Sequence, residues 1–407
     1  MKRIGRKVIR EILVTGICFS VFLVYLLVER LLLERKISQI PLRICVTGTR
    51  GKSSIVRLIA ACLRDAQIPV LAKTTGSKPC LIFPDGSEME IKRRGNPTIL
   101  EGKKILKTAS HAGVQAVVLE MMSIRPEFLQ TEVIRMMKPH VFVITNVRMD
   151  HVDDIGSTRK EIARCFASAI PEKSTVIVPE EEFYPVFQRK AEKAKARMIL
   201  VPQKLPFGEG NLEKDIPVSE FEQNFRVALA VIEFLGKDMD KAYRAAKGAN
   251  PDFGGLKVWR AKGDSHLNGW YFVSAFAAND PETTRDVLVK LENRGLFKGR
   301  KRIGLLNLRK DRGARTIQWF HALQGDGADV FDRLVFVGAH ALALTGKLKG
   351  HTKPEITAIR AKKPEDLITH IATLEKEESV IFGMGNMGGM GRLLVDYWEK
   401  TGNRHDV

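Results

Sequence analysis

The hydrophobic pattern of the chain changes character near Pro41. Residues 12–28 form a run of 17 residues without a charge, and the leucines at 31–33 extend it. As a helix rising 1.5 Å per residue, the uncharged run covers about 25 Å, close to the roughly 30 Å hydrocarbon core of a bilayer. The pattern predicts a single membrane helix within residues 1–40. A signal peptide, or a helix lying in the interface or packed on a partner, is the alternative.

Beyond Pro41, short apolar runs alternate with amphipathic stretches of helical length. The runs are LRICVT, QAVVLE and HVFVITN in the first part and WYFVSAF, RIGLLNL, DRLVFVGA and SVIFGMG in the second. Strands alternating with helices predict parallel sheets covered on both faces, so the fold class is α/β. The stretch rich in Gly and Pro around Pro251 predicts a boundary between an α/β domain of residues 41–250 and a smaller one of residues 251–407.

Charge and cysteine content narrow the classes of function. The 407 residues include 66 Lys and Arg against 47 Asp and Glu, a formal net charge of +19. This excess favours an anionic partner, which can be nucleic acid, a membrane surface, a nucleotide or an acidic polymer. The five cysteines show no close pairing, which argues against a disulfide framework and a zinc ribbon and favours a reduced cytosolic compartment.

A phosphate-binding loop follows the first predicted strand. Residues 46–54 read VTGTRGKSS, a compact T-G-T-x-G-K-[ST] loop rather than the usual eight-residue form. Gly48 and Gly51 let the backbone close around phosphate oxygens, and Lys52 supplies a cation to the terminal phosphates. Ser53, at the start of the next helix, is a predicted Mg²⁺ ligand.

Two cationic stretches come after this loop. AKTTGSKPC contains Lys73, Thr74 and Thr75 and is predicted to face an anion, and IKRRGNPT concentrates positive charge at Arg93 and Arg94. A solvated surface is the alternative for both stretches.

Acidic and polar residues stand at the ends of two buried strands. Glu120 ends QAVVLE, at the sheet edge where α/β proteins bind ligands, and a carboxylate there suits Mg²⁺. Asn146 ends HVFVITN and is followed by Asp150, His151 and Asp153 in NVRMDHVDDIG. These residues are predicted to be metal ligands or catalytic groups.

Together, VTGTRGKSS, the strand-end Glu120 and NVRMDHVDDIG resemble the Mur ligase superfamily, whose members make amide bonds with ATP. Without an extra amino-terminal substrate domain, the chain resembles folylpolyglutamate synthase more than the peptidoglycan ligases. It resembles still more closely the ligase subunit of poly-γ-glutamate synthase, which has a hydrophobic anchor. Further matching segments are AKTTGS, KRRGNPTI, EMMSIRPE, SAFAANDPETT, NLRKDRGART and FGMGNMGGMG. The implied fold is a P-loop central domain of Mur ligase type plus a smaller Rossmann-like carboxyl-terminal domain.

The motifs and the resemblance together predict four groups of site residues. ATP binding is expected of Gly48, Thr49, Arg50, Gly51, Lys52, Ser53, Ser54, Asn224, Arg309, Asp311, Arg312 and Arg315. Mg²⁺ binding is expected of Ser53, Glu120 and His151. Catalytic roles are expected of Lys52, Asn146, Asp150, His151 and Asp153. Substrate contact is expected of Lys73, Thr74, Thr75, Arg93, Arg94, Asn279 and Asp280.

The resemblance also implies a reaction and its partners. ATP phosphorylates the γ-carboxylate of glutamate or of a growing chain end, and the amine of another glutamate attacks the acyl phosphate. Implied partners are glutamate, the poly-γ-glutamate chain, the cell membrane and a small multi-span membrane subunit of the synthase, with the catalytic domains in the cytoplasm and a homo-oligomer left open. The carbamylated lysine of many Mur ligases falls here on Phe166, which puts the metal arrangement built on that lysine in question.

Two other classes of protein remain open at this point. A membrane-attached P-loop kinase or assembly ATPase would carry a tyrosine-rich tail, whereas only Tyr397 lies near the carboxyl end. A basic nucleic-acid-binding protein would need a reading module with aromatic platforms or a groove helix, and the sequence shows none, so no nucleic-acid partner is expected.

Overall fold

The computed structural model of the chain divides into two units that are described separately. Unit 1 comprises Met1–Thr75, Pro79–Leu205 and Arg226–Gly248, and unit 2 comprises Gly76–Lys78, Pro206–Phe225 and Ala249–Val407. The structure describes residues 2–76, 78–93, 95, 97–149, 155–179, 181–203, 216–217, 220–252, 255–262, 267–324 and 326–406, with side chains from residue 10 onwards.

Unit 1 is built on an eight-stranded sheet. Its strands, in the order they occupy across the sheet, are β4 (Glu88–Glu90), β3 (Cys80–Ile82), β2 (Val70–Lys73), β5 (Ala116–Glu120), β1 (Leu42–Thr47), β6 (Val141–Ile144), β7 (Thr175–Val178) and β8 (Arg197–Leu200). The helices are α1 (Lys2–Ser38), α2 (Lys52–Asp65), α3 (Leu100–His111), α4 (Pro126–Gln130), a π-helix (Thr131–Met137), α5 (Arg159–Ser168), α6 (Tyr184–Lys193), α7 (Glu222–Phe234), which belongs to unit 1 from Arg226 onwards, and α8 (Met239–Lys247). The strands β2, β5, β1, β6, β7 and β8, which are consecutive across the sheet, are parallel, as the alternation of strands and helices predicts.

The outer strands of this sheet differ from the predicted parallel pattern. Strands β3 and β4 pair antiparallel with each other, and β3 pairs antiparallel with β2. The connection between β3 and β4 is a tight turn in which Gly86 has a φ of 85° and Asp85 accepts hydrogen bonds from Ser87. A connection this short permits only antiparallel pairing, because a parallel crossover needs a dozen or more residues.

Helix α1 is one continuous helix with two different environments. Its segment Arg10–Ser38 is long and apolar enough to cross a membrane, and the apolar side chains from Ile12 to Val28 are all exposed. Near its carboxyl end, Leu33 packs against the core of unit 1, and Ile37 is buried within it. Helix α1 therefore continues without a break from an exposed apolar stretch into the domain.

Unit 2 contains a seven-stranded sheet. Its strand order is β13 (Glu355–Ala358), β12 (Arg333–Gly338), β11 (Lys301–Leu308), β14 (Ser379–Gly385), β10 (Tyr271–Ser274), β9 (Lys257–Ala261) and β15 (Gly402–Arg404). Strands β10 to β14 are mutually parallel, whereas β9 and β15 are antiparallel additions. The helices are α9 (Pro281–Asn293), α10 (Gly313–Leu323), α11 (Ala341–Leu348), α12 (Pro364–Leu374) and α13 (Met390–Thr401). Apolar clusters lie on both faces of the sheet, so the predicted α/β class is confirmed.

Candidate active site

The predicted nucleotide site lies at one edge of the unit 1 sheet, where three neighbouring strands end. Strand β1 lies between β5 and β6, with Val46 in register with Glu120 and Thr47 in register with Ile144. Because the three strands are parallel, their carboxyl ends meet at the same edge. The phosphate loop, Glu120 and the segment after β6 are therefore adjacent.

Both glycines of the loop are required by its geometry. Gly51 precedes α2 with a φ of 78°, in the left-handed region that favours glycine. Gly48 has a φ of 127°, and a Cβ atom built there would lie 2.2 Å from the hydroxyl of Thr145 and 2.7 Å from its backbone nitrogen. The loop therefore closes against the end of β6 at a distance that no larger residue permits.

Asn146 holds the loop in this shape. Its side-chain oxygen accepts a hydrogen bond from the backbone N–H of Arg50 (2.9 Å), and its side-chain nitrogen donates to the Arg50 carbonyl (3.2 Å). Its carbonyl accepts from the N–H of Thr49 at 3.2 Å, and the Thr145 hydroxyl donates to the Arg50 carbonyl at 2.6 Å. In this geometry Asn146 positions the phosphate loop, and Thr145 is a partner that the sequence interpretation missed. The predicted catalytic role of Asn146 stays a prediction.

We expect Asn146→Ala to raise the KM for ATP by roughly tenfold, because the lost hydrogen bonds stabilise the binding conformation of the loop by about 1–3 kcal/mol. Thr145→Val should act in the same direction, and Thr145→Ser, which keeps the hydroxyl, serves as the matched control. Steady-state ATP kinetics on the folded variants provide the measurement. An unchanged KM in both Asn146→Ala and Thr145→Val would show that the loop keeps its shape without them.

Hard oxygen ligands converge beside the loop. The Ser53 hydroxyl donates to a Glu120 carboxylate oxygen at 2.7 Å, and the backbone N–H of Thr75 donates to the same oxygen at 2.7 Å. Glu120 is only 3% exposed, and a carboxylate with a neighbouring hydroxyl is the donor set that Mg²⁺ prefers. Ser53 and Glu120 therefore fit a Mg²⁺ site. Within the described part of the chain no three His, Cys, Asp or Glu residues group as a metal site, and the predicted His151, Asp150 and Asp153 lie outside the described residues.

Lys52 is the first residue of α2 and reaches back over the loop. Its ammonium donates to the carbonyl of Gly48 at 2.7 Å and to that of Thr49 at 3.2 Å. The cation is thus held at the loop backbone, at the amino terminus of a helix whose dipole also favours anions. This arrangement suits the phosphates of a nucleotide.

The predicted substrate residues Lys73 and Arg93 share one carboxylate. Lys73 is 2% exposed and lies 3.0 Å from Glu101, and Arg93 makes hydrogen bonds of 2.9 and 3.1 Å to the two oxygens of the same side chain. Thr74 is also buried and bonds to Cys80, and Arg94 lies outside the described residues. The ammonium of Lys73 therefore forms an internal ion pair with Glu101, which the sequence interpretation did not predict.

Burial raises the pKa of Glu101, but the hydrogen bond from Arg93 and the charge of Lys73 outweigh it and hold that pKa below its ordinary value. A carboxyl with a lowered folded-state pKa stabilises the fold above its unfolded pKa of about 4.3 and loses this contribution as pH falls through the lowered value. We expect Glu101→Gln to cost about 3–5 kcal/mol near neutral pH, because it leaves Lys73 buried without its carboxylate. The free energy of unfolding, measured from pH 7 to 3 for both proteins, should converge at the acid end. A constant difference across this range would contradict the ion-pair account.

A second buried carboxyl supports the segment that follows Glu120. Glu132, in the π-helix, is 1% exposed and accepts a hydrogen bond of 3.1 Å from the backbone N–H of Ser123. Burial raises the pKa of Glu132 above its ordinary value. No signal in the sequence distinguishes Glu132 from a surface glutamate, because its burial depends on the π-helix.

Phe166 lies in the apolar core of unit 1. It is 3% exposed, sits on α5 and belongs to the same cluster as Ile162 and Phe142. The position where many Mur ligases carry a carbamylated lysine is thus occupied by a core side chain. A metal arrangement that depends on that lysine does not fit these residues.

Several predicted site residues of unit 2 lie in the loops that precede its helices α9 and α10. Asp280 is the amino-terminal cap of α9, where its carboxylate accepts from the N–H and the hydroxyl of Thr283, both at 2.9 Å. The carbonyl of the adjacent Asn279 accepts from the Trp319 indole at 3.3 Å. In the loop after β11, Arg309 makes bonds of 2.9 and 2.8 Å to the exposed Asp311. Arg312 immediately precedes α10.

Asn307 and Asn386 organise the loops at the carboxyl edge of the unit 2 sheet. Asn307, near the end of β11, donates to the Asn386 carbonyl at 2.5 Å and to the Gly388 carbonyl at 2.9 Å. The side-chain nitrogen of Asn386 donates a hydrogen bond to the Asn307 carbonyl, and its side-chain oxygen accepts one from Arg315 at 3.2 Å. The FGMGNMGGMG segment is one of those that resemble the Mur ligase superfamily, but neither Asn307 nor Asn386 was predicted as a site residue.

Asn224, predicted to face adenine, lies on α7. It is 6% exposed, and its side-chain nitrogen is 3.5 Å from a carboxylate oxygen of Glu220. The adenine role of Asn224 stays a prediction.

Sequence models of two known domain families match the chain. A sequence model of the Mur ligase middle domain matches residues 46–238, and one of the poly-gamma-glutamate synthase CapB C-terminal domain matches residues 262–401. The chain belongs to the Mur ligase superfamily. The carboxyl-terminal match places this Mur ligase on the CapB branch, as the resemblance of its motifs predicted.

Two named relatives agree with this placement, and a solved structure shares the fold. The capsule biosynthesis protein CapB of Bacillus anthracis is 28% identical over 393 residues, which are 95% of this chain and 83% of the relative. The PGA synthase CapB of Bacillus subtilis is 28% identical over 391 residues, 93% of this chain and 96% of the relative. The bifunctional folylpolyglutamate synthase/dihydrofolate synthase of Yersinia pestis with Mn, AMPPNP and L-glutamate bound has a TM-score of 0.66 at 17% identity, over 91% of both chains. This likeness confirms the predicted fold.

Proposed function

We propose that this protein is an ATP-dependent amide ligase that polymerises glutamate through its γ-carboxylates. Two relatives bear the names capsule biosynthesis protein CapB and PGA synthase CapB, and both are similar over almost the entire chain. The observation that carries the proposal is the convergence of Lys52, Ser53 and Glu120 at the phosphate loop of a chain whose carboxyl-terminal part matches the CapB family.

The proposed reaction has two steps. A γ-carboxylate oxygen attacks the terminal phosphorus of ATP, the bond to the bridging oxygen breaks, and ADP leaves. The amine of a second glutamate then attacks the acyl carbon, phosphate departs with the carboxylate oxygen, and the amine loses a proton to a base. ATP is needed because a carboxylate is a poor electrophile whose oxide is a poor leaving group.

The residues of unit 1 supply positioning and charge for phosphoryl transfer. Lys52 neutralises charge on the terminal phosphates, and Asn146 keeps the loop in its binding shape. Ser53 and Glu120 would hold Mg²⁺, with His151 as a proposed further ligand. When bound, the ion neutralises phosphate charge and orients the terminal phosphoryl group. Asp150 and Asp153 are proposed bases for the incoming amine, and Arg309, Asp311, Arg312 and Arg315 are proposed to contact ATP.

Glutamate-dependent ADP release tests the proposed function and separates it from an assembly ATPase and from a kinase. Purified membranes containing the protein are given ATP, Mg²⁺ and labelled L- or D-glutamate, and the product is tested for γ-linkage. A ligase releases ADP and phosphate in step with γ-amide formation. ATP turnover that needs no glutamate would favour an assembly ATPase, and phosphate transfer to tyrosine would favour a kinase.

We further propose that α1 anchors the protein in the membrane, with the catalytic units in the cytoplasm, and binds a small multi-span membrane subunit that carries the polyanion across. Deletion of residues 1–28 removes the exposed apolar stretch but keeps Leu33 and Ile37, which pack on the core. We expect the truncated protein to be soluble, to bind ATP normally and to lose the membrane subunit. Co-purification from detergent provides the measurement, and retained association would show that the contact lies elsewhere.

A further inference from the structure

The carboxyl-terminal turns of α1 are bound to a defined face of unit 1. Glu29 lies 2.7 Å from Lys103 on α3, and Glu34 lies 3.1 Å from Lys138, which follows the π-helix. Arg43 donates to the carbonyls of Ile37 at 3.0 Å and Ile40 at 2.8 Å, which fixes the chain where α1 ends. The domain therefore has a set orientation relative to α1.

Helices α1 and α3 run side by side in the same direction. Near the start of α3, Lys103 contacts Glu29, and near its end Ser110 hydrogen-bonds to Gln39, just beyond α1. The amino-terminal end of α3 is therefore the end that points along α1 towards its exposed apolar stretch.

This direction brings the start of α3 to the level of the bilayer boundary. The uncharged run of α1 ends at Val28, immediately before Glu29, the residue that Lys103 contacts. Leu100 lies three residues before Lys103, about 4.5 Å further towards the apolar stretch at 1.5 Å per residue. Its side chain is 53% exposed. If α1 spans a bilayer, Leu100 lies at the junction of the headgroups and the hydrocarbon.

Cations outnumber carboxylates on the segments that pack together at this side of unit 1. The three segments that meet here, the end of α1, α3 and the end of the π-helix, carry Arg30, Arg35, Lys36, Lys103, Lys104, Lys107, Arg135 and Lys138 against Glu29, Glu34 and Glu101. Lys104 and Lys107 are exposed. Lysines near the surface of an anionic leaflet are attracted to it, and the attraction decays within a Debye length of the surface.

Resting on the proposed membrane anchor, we propose that the first two turns of α3 are a second membrane contact, in which Leu100 enters the interface and Lys104 and Lys107 face the phosphates of anionic lipids. A lipid surface fits better than a protein partner. A protein interface has a contiguous apolar centre. Here one exposed leucine at the start of α3 precedes exposed lysines, an order that suits an apolar residue at the hydrocarbon boundary and cations at the level of the headgroups. Two membrane contacts, α1 and α3, would prevent unit 1 from rotating about the axis of α1.

Tryptophan quenching by brominated lipid tests this contact in the full-length protein. The four native tryptophans, Trp259, Trp270, Trp319 and Trp398, all belong to unit 2 and are 3% exposed or less, so a tryptophan introduced into unit 1 reports its own position. Three variants are reconstituted into vesicles that contain phosphatidylglycerol and no other protein. Leu100→Trp reports the proposed contact, His111→Trp at the exposed far end of α3 is the matched control, and Leu23→Trp reports insertion of α1.

We expect strong quenching for Leu23→Trp, clear quenching for Leu100→Trp and none beyond background for His111→Trp. Quenching of Leu23→Trp with no difference between Leu100→Trp and His111→Trp would overturn the proposal and assign the face to a protein partner or to solvent. Loss of quenching at Leu23→Trp as well would refute the anchor itself, and the α3 contact with it, while glutamate-dependent ADP release would still test the ligase separately.

The contribution of the lysines has its own readout. In the Leu100→Trp background, Lys104→Gln with Lys107→Gln should reduce quenching in phosphatidylglycerol vesicles to the level seen in neutral phosphatidylcholine vesicles. Equal quenching of the parent Leu100→Trp protein in the two lipids would overturn the part of the proposal that concerns headgroups. ATP turnover should be unchanged in all these variants, because none touches the phosphate loop.

Discussion

Lys52→Ala is expected to lower ATP turnover on the order of 100- to 1,000-fold, the range seen when one preorganised group that stabilises developing charge is removed. The Lys52 ammonium is held over the loop by the carbonyls of Gly48 and Thr49, where phosphate oxygens would bind. Its removal leaves the charge that develops on the terminal phosphates without its nearest cation. Glutamate-dependent ADP release, followed with saturating Mg²⁺, measures the loss.

The fold should survive this change, because the buried face of α2 is formed by residues 55–63. Circular dichroism and thermal unfolding check that expectation. Lys160→Ala, an exposed lysine at the start of α5, is the matched control and should behave as the parent protein. If a folded Lys52→Ala variant turned over ATP at the parent rate, this loop would not be the ATP site.

Glu120→Gln is expected to weaken the apparent Mg²⁺ affinity by roughly 10- to 100-fold or more, the range found when groups around a metal are altered. The substitution keeps the shape of the side chain and an oxygen that accepts from Thr75, so the local backbone should hold. It removes a buried negative charge that lies 2.7 Å from the Ser53 hydroxyl. Titration of ADP release with Mg²⁺ at fixed ATP measures the shift.

Glu127→Gln provides the matched control, because Glu127 is an exposed carboxylate on α4, the helix that follows β5. Ser53→Ala should shift the Mg²⁺ titration in the same direction as Glu120→Gln. Superimposable titrations for the parent, Glu120→Gln and Ser53→Ala proteins would mean that the metal is held by other residues.

The sequence was sufficient to predict the parts of the site that depend on chain order. A strand, a loop with glycines at Gly48 and Gly51, and a helix must place Lys52 and Ser53 at a sheet edge. The parallel arrangement of β1 and β5 then brings Glu120 to the same edge. These predictions needed the motif of the phosphate loop, the period of the hydrophobic pattern and the direction of parallel strands.

The remaining features depend on contacts between distant segments, which a linear pattern does not contain. Lys73 stands in a polar stretch and was predicted to meet substrate, but Glu101 on α3 pairs with it and permits its burial. In the sequence, Asn146 and Asn386 are only polar residues that follow strands. Their hydrogen bonds to Arg50 and Arg315 form only when the loops are folded, so the sequence does not predict them. The antiparallel β3 and β4 were missed because strands of three residues give too little periodicity.

Transfer of an oxygen atom from glutamate to phosphate tests the central claim most directly. The protein is given ATP and a glutamate donor whose γ-carboxylate carries a heavy oxygen isotope, and the released phosphate is analysed by mass spectrometry. An acyl-phosphate ligase must deliver one labelled oxygen to phosphate for each γ-amide formed, because the bond between acyl carbon and that oxygen breaks when the amine attacks. Amide formation with unlabelled phosphate, or with the label in AMP, would contradict the mechanism proposed for this protein.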